Sequence, residues 1–175
     1  MKILAISGSL RADSSNRTIL KALARVAGGD IDFVMDDHIG QLPHFMPGGE
    51  IPEIVLHFFK ALDAADAVLF CTPEYAHGIP GVLKNALDWT VASGNFYEKT
   101  VGVITASSQG EHGHAALLQT LAVLTARIPI GGTLLIPFIR SKIDAHDNVQ
   151  PDVLDALKNV LAAISTPNMG DGHKA

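Results

Sequence analysis

The chain alternates short apolar runs with longer amphipathic segments, and polar loops rich in glycine or proline separate them. Short apolar runs predict strands, whereas apolar residues recurring every three to four positions predict helices. We predict five strands, at residues 2–6, 31–35, 67–71, 100–106 and 133–136. We predict five helices, at 15–26, 52–65, 80–92, 114–126 and 151–164, followed by a loose polar tail at 166–175.

Regular alternation of strands and helices predicts an α/β fold, with one five-stranded parallel sheet between two layers of helices. The unbroken apolar run 67–71 is typical of a central strand covered on both faces. No repeat or linker divides the 175 residues, so we expect a single domain over 1–175. Loops that follow parallel strands meet at one edge of the sheet, where ligands of such folds bind.

Composition narrows the class of protein. Hydrophobic residues make up 47% of the chain and charged residues 18%, which favours a globular protein over a disordered one. The net charge of -5 provides no basic surface for nucleic acid, and no apolar run is long enough to span a bilayer. There is no signal-peptide pattern, and Cys71 is the only cysteine, so we expect a cytoplasmic protein with no internal disulfide.

The loop between the first strand and the first helix has the composition of a phosphate cradle. A helix N-terminus offers free backbone N–H groups, and Ser9, Ser14, Ser15 and Asn16 add side-chain donors, while Arg11 adds a positive charge. The loop lacks a Gly-Lys-Ser/Thr ending and the three spaced glycines of a dinucleotide site. It therefore suits a terminal monophosphate such as that of FMN, although an ordinary strand-to-helix turn with capping residues has the same composition.

Two further polar loops follow the third and fourth strands. In the loop 72–81, two prolines and two glycines fix the backbone path, so that it can present backbone groups, Tyr75 and His77 to a flat heterocycle. In the loop 107–113, glycines allow close approach, and Ser107 and Gln109 offer polar contacts. His112 and His114 are too few for a zinc site, so we expect no metal.

Two motifs in these loops carry a family resemblance. The first is Gly8-Ser9-x-Arg11-x-x-Ser14-x-Asn16, and the second is Pro73-Glu74-Tyr75 followed by Pro80-Gly81-x-Leu83-Lys84-Asn85-Ala86-Leu87-Asp88-Trp89. Together they resemble the NADPH-dependent FMN reductase family, which has the flavodoxin-like fold and includes quinone, chromate and azo-dye reductases. The resemblance extends from about residue 2 to residue 164.

The resemblance implies where FMN and its partners would bind. The residues implied for the phosphate are Ser9, Arg11, Ser15 and Asn16. Those implied for the isoalloxazine ring are Pro73, Glu74, Tyr75, Ala76, His77 and Gly78. The third loop is implied to close on the ring with Ser107, Gln109 and Gly110. The family commonly has Asn where this chain has Ala76, so a polar contact near the ring is lost or moved. The resemblance also implies a homodimer or homotetramer.

We therefore expect an FMN-dependent NAD(P)H oxidoreductase that passes hydride through bound FMN to a small-molecule acceptor. Quinones, chromate, azo compounds, nitro compounds and free flavin all remain open as acceptors. No catalytic side chain is expected, because the flavin carries the chemistry. Since the crevice has no second phosphate loop, we expect a ping-pong mechanism, with the loop 36–50 as a lid that carries Phe45 and Met46. A flavodoxin-type electron carrier and an FMN-binding regulatory protein are the alternatives.

Overall fold

The structure is a computed structural model that describes residues 1–166. Strands and helices alternate along the chain, and two short 3-10 helices lie at Ile39–Gln41 and Ile139–Lys142. The strands are β1 (Lys2–Ser7), β2 (Asp32–Asp36), β3 (Ala67–Thr72), β4 (Thr100–Ala106) and β5 (Thr133–Ile136). The helices are α1 (Ser15–Val26), α2 (Glu53–Asp63), α3 (Gly81–Trp89), α4 (Glu111–Val123) and α5 (Pro151–Ser165). The predicted tail lies, from residue 167 onward, outside the described residues.

The five strands form one parallel sheet in the order β2-β1-β3-β4-β5. All of β3 and β4 is buried, because helices cover both faces of the sheet. Alternate residues of the strands pack on α1 and α5 on one face, and on α2, α3 and α4 on the other. This three-layer αβα arrangement and strand order are those of the flavodoxin-like fold, so the prediction of the fold class is confirmed.

The largest error in the predicted elements concerns α4, which spans Glu111–Val123 rather than 114–126. The helix begins directly after Gly110, whose φ of 116° only glycine adopts easily, and the charge of Glu111 suits the first turn. It ends earlier than predicted because Thr125 takes a left-handed conformation, with φ of 58°. Polar residues in the first turn concealed the start of this helix from the apolar pattern.

The loop after β2 is attached to α3 by hydrogen bonds and by packing. Asn85 accepts a hydrogen bond from the backbone N–H of Phe45 at 2.8 Å and donates one to the carbonyl of Pro43 at 3.0 Å. The indole of Trp89 donates to the same carbonyl at 2.8 Å, and its ring packs edge-on against Phe45. These contacts anchor residues 43–45 to α3, and the lid role of the loop stays a prediction. Trp89, which is 7% exposed, is a core residue.

Because the strands are parallel, the loops after β1, β3, β4 and β5 all emerge at the same edge of the sheet. This geometry brings together residues that are far apart in sequence. Within residues 1–166, none of the helices is long and apolar enough to cross a membrane.

Candidate functional site

A crevice of about 910 Å³ opens at the carboxyl edge of the sheet. Four segments line it: the loop after β1, the loop after β3, the loop after β4 and the segment after β5. The lining residues are Ser9, Arg11, Asp13, Ser14, Ser15, Asn16, Pro73, Glu74, Tyr75, Ala106, Ser107, Ser108, Phe138, Ile139, Arg140, Ser141 and Ile143. Nine of the fourteen residues predicted for the site therefore lie around one space.

The loop after β1 is held in place at both of its ends. Gly8 donates its backbone N–H to the Cys71 carbonyl at 2.9 Å, and a Cβ at Gly8 would lie 2.7 Å from the Cβ of Thr72. Ser14 is the N-cap of α1, since its hydroxyl accepts the backbone N–H of Arg17 at 3.3 Å. The chain therefore enters α1 at a fixed angle, with the helix N-terminus facing the crevice.

Two serines of this loop have hydroxyls with no hydrogen-bond partner among residues 1–166. Ser9 is 4% exposed, and its backbone is bonded to the Ser7 hydroxyl. Ser15 is the first residue of α1, where the backbone N–H groups have no acceptor within the helix. Free hydroxyls beside free backbone donors form a set that suits a phosphate group.

Arg11 is paired with a neighbouring carboxylate. Its guanidinium donates two hydrogen bonds to Asp13, at 3.2 and 3.0 Å, and the two side chains are 62% and 78% exposed. The hydrogen bond to Asp13 raises the pKa of Arg11, and the same contact lowers the pKa of Asp13. The charge predicted for a phosphate is therefore balanced within the loop itself, an arrangement that the motif did not reveal.

Asn16 braces the strands beneath the loop. Its side chain is buried, at 3% exposure, and its amide donates to the Ala106 carbonyl at 3.3 Å. The thiol of Cys71 donates to the amide oxygen, also at 3.3 Å. Asn16 thus links α1 to β3 and β4, and at most one amide hydrogen is left for a ligand.

The loop after β3 contains a tight hairpin turn. Tyr75 and Gly78 exchange two backbone hydrogen bonds, at 3.1 and 2.9 Å, and the two residues between them, Ala76 and His77, have φ of 49° and 57°. Two consecutive left-handed residues define a type I′ turn, a geometry that favours Asn and Gly. Ala76, His77 and Gly78 form this turn and do not line the crevice, while Tyr75, 52% exposed, does.

Glu74 ties the second loop to the third loop and to α4. Its buried carboxylate accepts the backbone N–H of Gly113 at 2.7 Å, and its own N–H donates to the Ser107 hydroxyl at 3.2 Å. His77 lies 3.6 Å from the other carboxylate oxygen and packs edge-on against His112. Glu74 therefore holds the second loop in register with the first turn of α4.

The third loop is shorter than predicted, because α4 begins at Glu111. Ser107 lines the crevice, but Gln109 is exposed outside it and Gly110 packs under Leu135. Ser108, which was not predicted, takes the place beside Ser107. Among residues 1–166, no cluster of three or more His, Cys, Asp or Glu side chains has the arrangement of a metal site.

The segment after β5 supplies the residues that the sequence reading missed. Phe138, Ile139, Arg140, Ser141 and Ile143 line the crevice, yet no motif marks them. One signal was available: β5 was predicted as a parallel strand, so the residues after it had to reach the same edge as the other loops.

Comparisons with known proteins identify the family of this chain. Residues 1–140 match the family described as NADPH-dependent FMN reductase. A 2-hydroxy-1,4-benzoquinone reductase of a Burkholderia species is 35% identical over 157 residues, or 85% of each chain. An NAD(P)H-dependent FMN reductase of Pseudomonas aeruginosa is 32% identical, over 87% of this chain and 86% of the relative.

Among solved structures, FerB of Paracoccus denitrificans, a flavoenzyme NAD(P)H:(acceptor) oxidoreductase, is similar with a TM-score of 0.73 and 29% identity. The similarity covers 93% of this chain and 94% of FerB. The fold, the loop motifs and the match over residues 1–140 are mutually consistent. The chain therefore belongs to the NADPH-dependent FMN reductase family, as the two loop motifs predicted.

Proposed function

We propose that this protein is an FMN-dependent NAD(P)H oxidoreductase that reduces a quinone. The observation that carries the proposal is the single crevice, in which a phosphate-type loop and a ring-type loop lie side by side. FMN has one phosphate and one flat ring, and these are the two kinds of group that the two loops suit. The relatives named as quinone and FMN reductases support the same reading.

The phosphate end of FMN is proposed to bind at the start of α1. Ser9 and Ser15 have free hydroxyls there, the helix N-terminus adds backbone donors, and Arg11 stands at the rim. Asn16 holds these groups in position from below, through Ala106 and Cys71. This set of donors supports the proposal that a monophosphate binds here.

The ring end is proposed to bind against Pro73, Glu74 and Tyr75. The type I′ turn and the Glu74–Gly113 hydrogen bond fix this backbone before any ligand arrives. The half-exposed Tyr75 offers an aromatic face at the crevice. Bound here, FMN would supply the transfer of electrons from NAD(P)H to the acceptor, while Pro73, Glu74 and Tyr75 would orient and shield its ring.

The order of ligand binding follows from the size of the crevice and its single phosphate loop. NAD(P)H and the acceptor are proposed to occupy the same remaining space in turn, which gives ping-pong kinetics. The acceptor is proposed to be a quinone, because the 35% identical Burkholderia relative is named as a 2-hydroxy-1,4-benzoquinone reductase. Chromate, azo compounds, nitro compounds and free flavin are alternative acceptors to be compared in the same assay.

Titration of the purified protein with FMN, FAD and riboflavin tests the binding proposal. We expect one FMN per chain, with FMN bound more tightly than either of the others. Ser9→Ala is expected to weaken FMN binding by about 1.5–3 kcal/mol, the usual value of a hydrogen bond to a charged group, without affecting riboflavin. Ser93→Ala, outside the crevice, is the control. Preference for FAD, or absence of flavin binding, would refute the proposal.

Steady-state kinetics test the reaction. We expect oxidation of NADPH or NADH with a quinone as acceptor, and parallel lines in double-reciprocal plots at several quinone concentrations. Intersecting lines would show that both substrates bind together. Turnover only in the presence of a separate reductase protein would instead identify an electron carrier.

We also propose that the protein forms a homodimer or homotetramer through α3 and α4. A groove of about 500 Å³ between these helices is lined by six apolar residues, together with Lys84, Asp88, Gln119 and Thr120. Of the apolar residues, Val91 is 64% exposed and Val123 is 77% exposed. Sedimentation should give an oligomer that Val123→Glu weakens, and a wild-type monomer would contradict the proposal. The proposed location is the cytoplasm, where a single thiol such as Cys71 stays reduced.

A further inference from the structure

The segment that follows β5, residues 137–143, is fixed against the third loop. Phe138 and Ile139 donate their backbone N–H groups to the carbonyls of Ser108 and Ser107, both at 3.1 Å. The side chain of Ile139 is 4% exposed and belongs to the core beneath α1 and α5. From this fixed backbone the segment presents Phe138, Arg140, Ser141 and Ile143 to the crevice.

Phe138 has an unusual conformation for a bulky residue. Its φ is 53°, in the left-handed region, and its side chain is 66% exposed while lining the crevice. Side chains other than those of Gly, Asn and Asp are disfavoured in this region, so the surrounding hydrogen bonds must hold it there. The result is an exposed aromatic ring at the crevice wall, two residues before Arg140 in sequence.

The charges around the crevice leave Arg140 as its uncompensated cation. Arg11 is paired with Asp13 through two hydrogen bonds, and the Glu74 carboxylate accepts the Gly113 N–H. Arg140 lines the same crevice, is exposed, and forms no ion pair with any of residues 1–166. An anion that enters the crevice therefore meets a free guanidinium at Arg140 and a paired one at Arg11.

We propose that Arg140 binds a phosphate group in this crevice, with the Phe138 ring packed against the organic part of the same ligand. A guanidinium has the planar fork that phosphate oxygens accept in pairs. The inference rests on the proposed function, which supplies two sources of phosphate: the 5′-phosphate of FMN and the 2′-phosphate of NADPH. It assigns the phosphate-binding cation to a segment outside both loop motifs.

The test compares ligands that differ only by a phosphate, with protein freed of flavin. FMN and riboflavin are titrated by quenching of flavin fluorescence, and KM values for NADPH and NADH are measured with the FMN-loaded protein. The variants are Arg140→Gln, which removes the charge, and Arg140→Lys, which keeps the charge and loses the fork. Arg25→Gln, at the exposed end of α1 away from the crevice, is the matched control.

If the phosphate is that of FMN, Arg140→Gln should weaken FMN binding by about 10-fold to 100-fold and change riboflavin binding by less than about twofold. If the phosphate is the 2′-phosphate of NADPH, Arg140→Gln should raise the KM for NADPH by about the same 10-fold to 100-fold and leave the KM for NADH unchanged. Arg140→Lys should recover part of either loss.

Two results would overturn the assignment: equal weakening of FMN and riboflavin, which indicates a structural role, or no change for FMN and NADPH alike. Wild-type protein that binds no FMN would refute the proposed function itself, and the inference with it. Wild-type protein that binds FMN and is matched by Arg140→Gln in both assays would refute only the inference.

Discussion

Replacing Asn16 by alanine tests whether this residue stabilises the fold in the absence of any ligand. In the native protein, its amide satisfies the buried carbonyl of Ala106 and accepts from the thiol of Cys71. Removal of the amide leaves the buried carbonyl without a hydrogen-bond donor, which costs about 1–3 kcal/mol of unfolding free energy. The unpaired thiol adds little to this cost, because S–H is a weak donor. We therefore expect flavin-free Asn16→Ala to lose about 1–3 kcal/mol of unfolding free energy.

Urea denaturation of the flavin-free protein at pH 7 measures this loss. Ser15→Ala is the matched control, because Ser15 directly precedes Asn16 in the first turn of α1 and its hydroxyl has no partner among residues 1–166. We expect the control to change the unfolding free energy by less than about 0.5 kcal/mol, as is usual for surface substitutions. An equally small change in Asn16→Ala, together with a large loss of FMN affinity, would show that Asn16 serves the ligand directly and that the brace argument is wrong.

Four further predictions follow from the structure. Ala76→Asn should raise the unfolding free energy by about 0.5–1 kcal/mol, because Asn tolerates the left-handed turn position better; a lower melting temperature would contradict this. Gly8→Ala should cost about 1–3 kcal/mol in urea, because the added Cβ would overlap Thr72, and Thr72→Ala should restore part of the loss. Burial raises the pKa of the Cys71 thiol, so a thiol reagent at pH 8 should label it only in denaturant, and rapid labelling of the native protein would show that β3 is accessible. Burial also lowers the pKa of His114 below its ordinary value of 6.5, so the unfolded chain takes up this proton at a higher pH than the folded protein does. The unfolding free energy should therefore fall as the pH drops below 6.5, and it should fall more in the wild type than in His114→Gln. Equal pH profiles of the two proteins would refute this.

The amino-acid sequence determined the order of the elements, the fold class and the family. Apolar runs of strand length alternate with helical periodicity, and parallel strands can be joined in that way only by crossover helices, so the layered α/β sheet follows from local pattern. The long second motif then identified the family, because its prolines and glycines specify a backbone path and not merely a composition.

Boundaries that depend on polar residues were less accurately predicted. The first turn of α4 has no apolar stripe, since Glu111 and His112 face solvent, so the pattern placed its start too late. Likewise, the loop after β2 has the composition of a mobile segment, yet Asn85 and Trp89 fasten it to α3. Contacts between distant residues of this kind leave no local signature.

Only the tertiary structure decided which charge remains free at the crevice. Arg11 stands in the motif and was assigned to the phosphate, but its geometry places it on Asp13. Arg140 belongs to no motif, and it reaches the crevice because β5 lies beside β4 in the sheet. The Arg11–Asp13 pair forms within one loop. Arg140, by contrast, comes within a few ångströms of that loop's crevice only once the sheet has assembled, because the two segments are far apart in the chain.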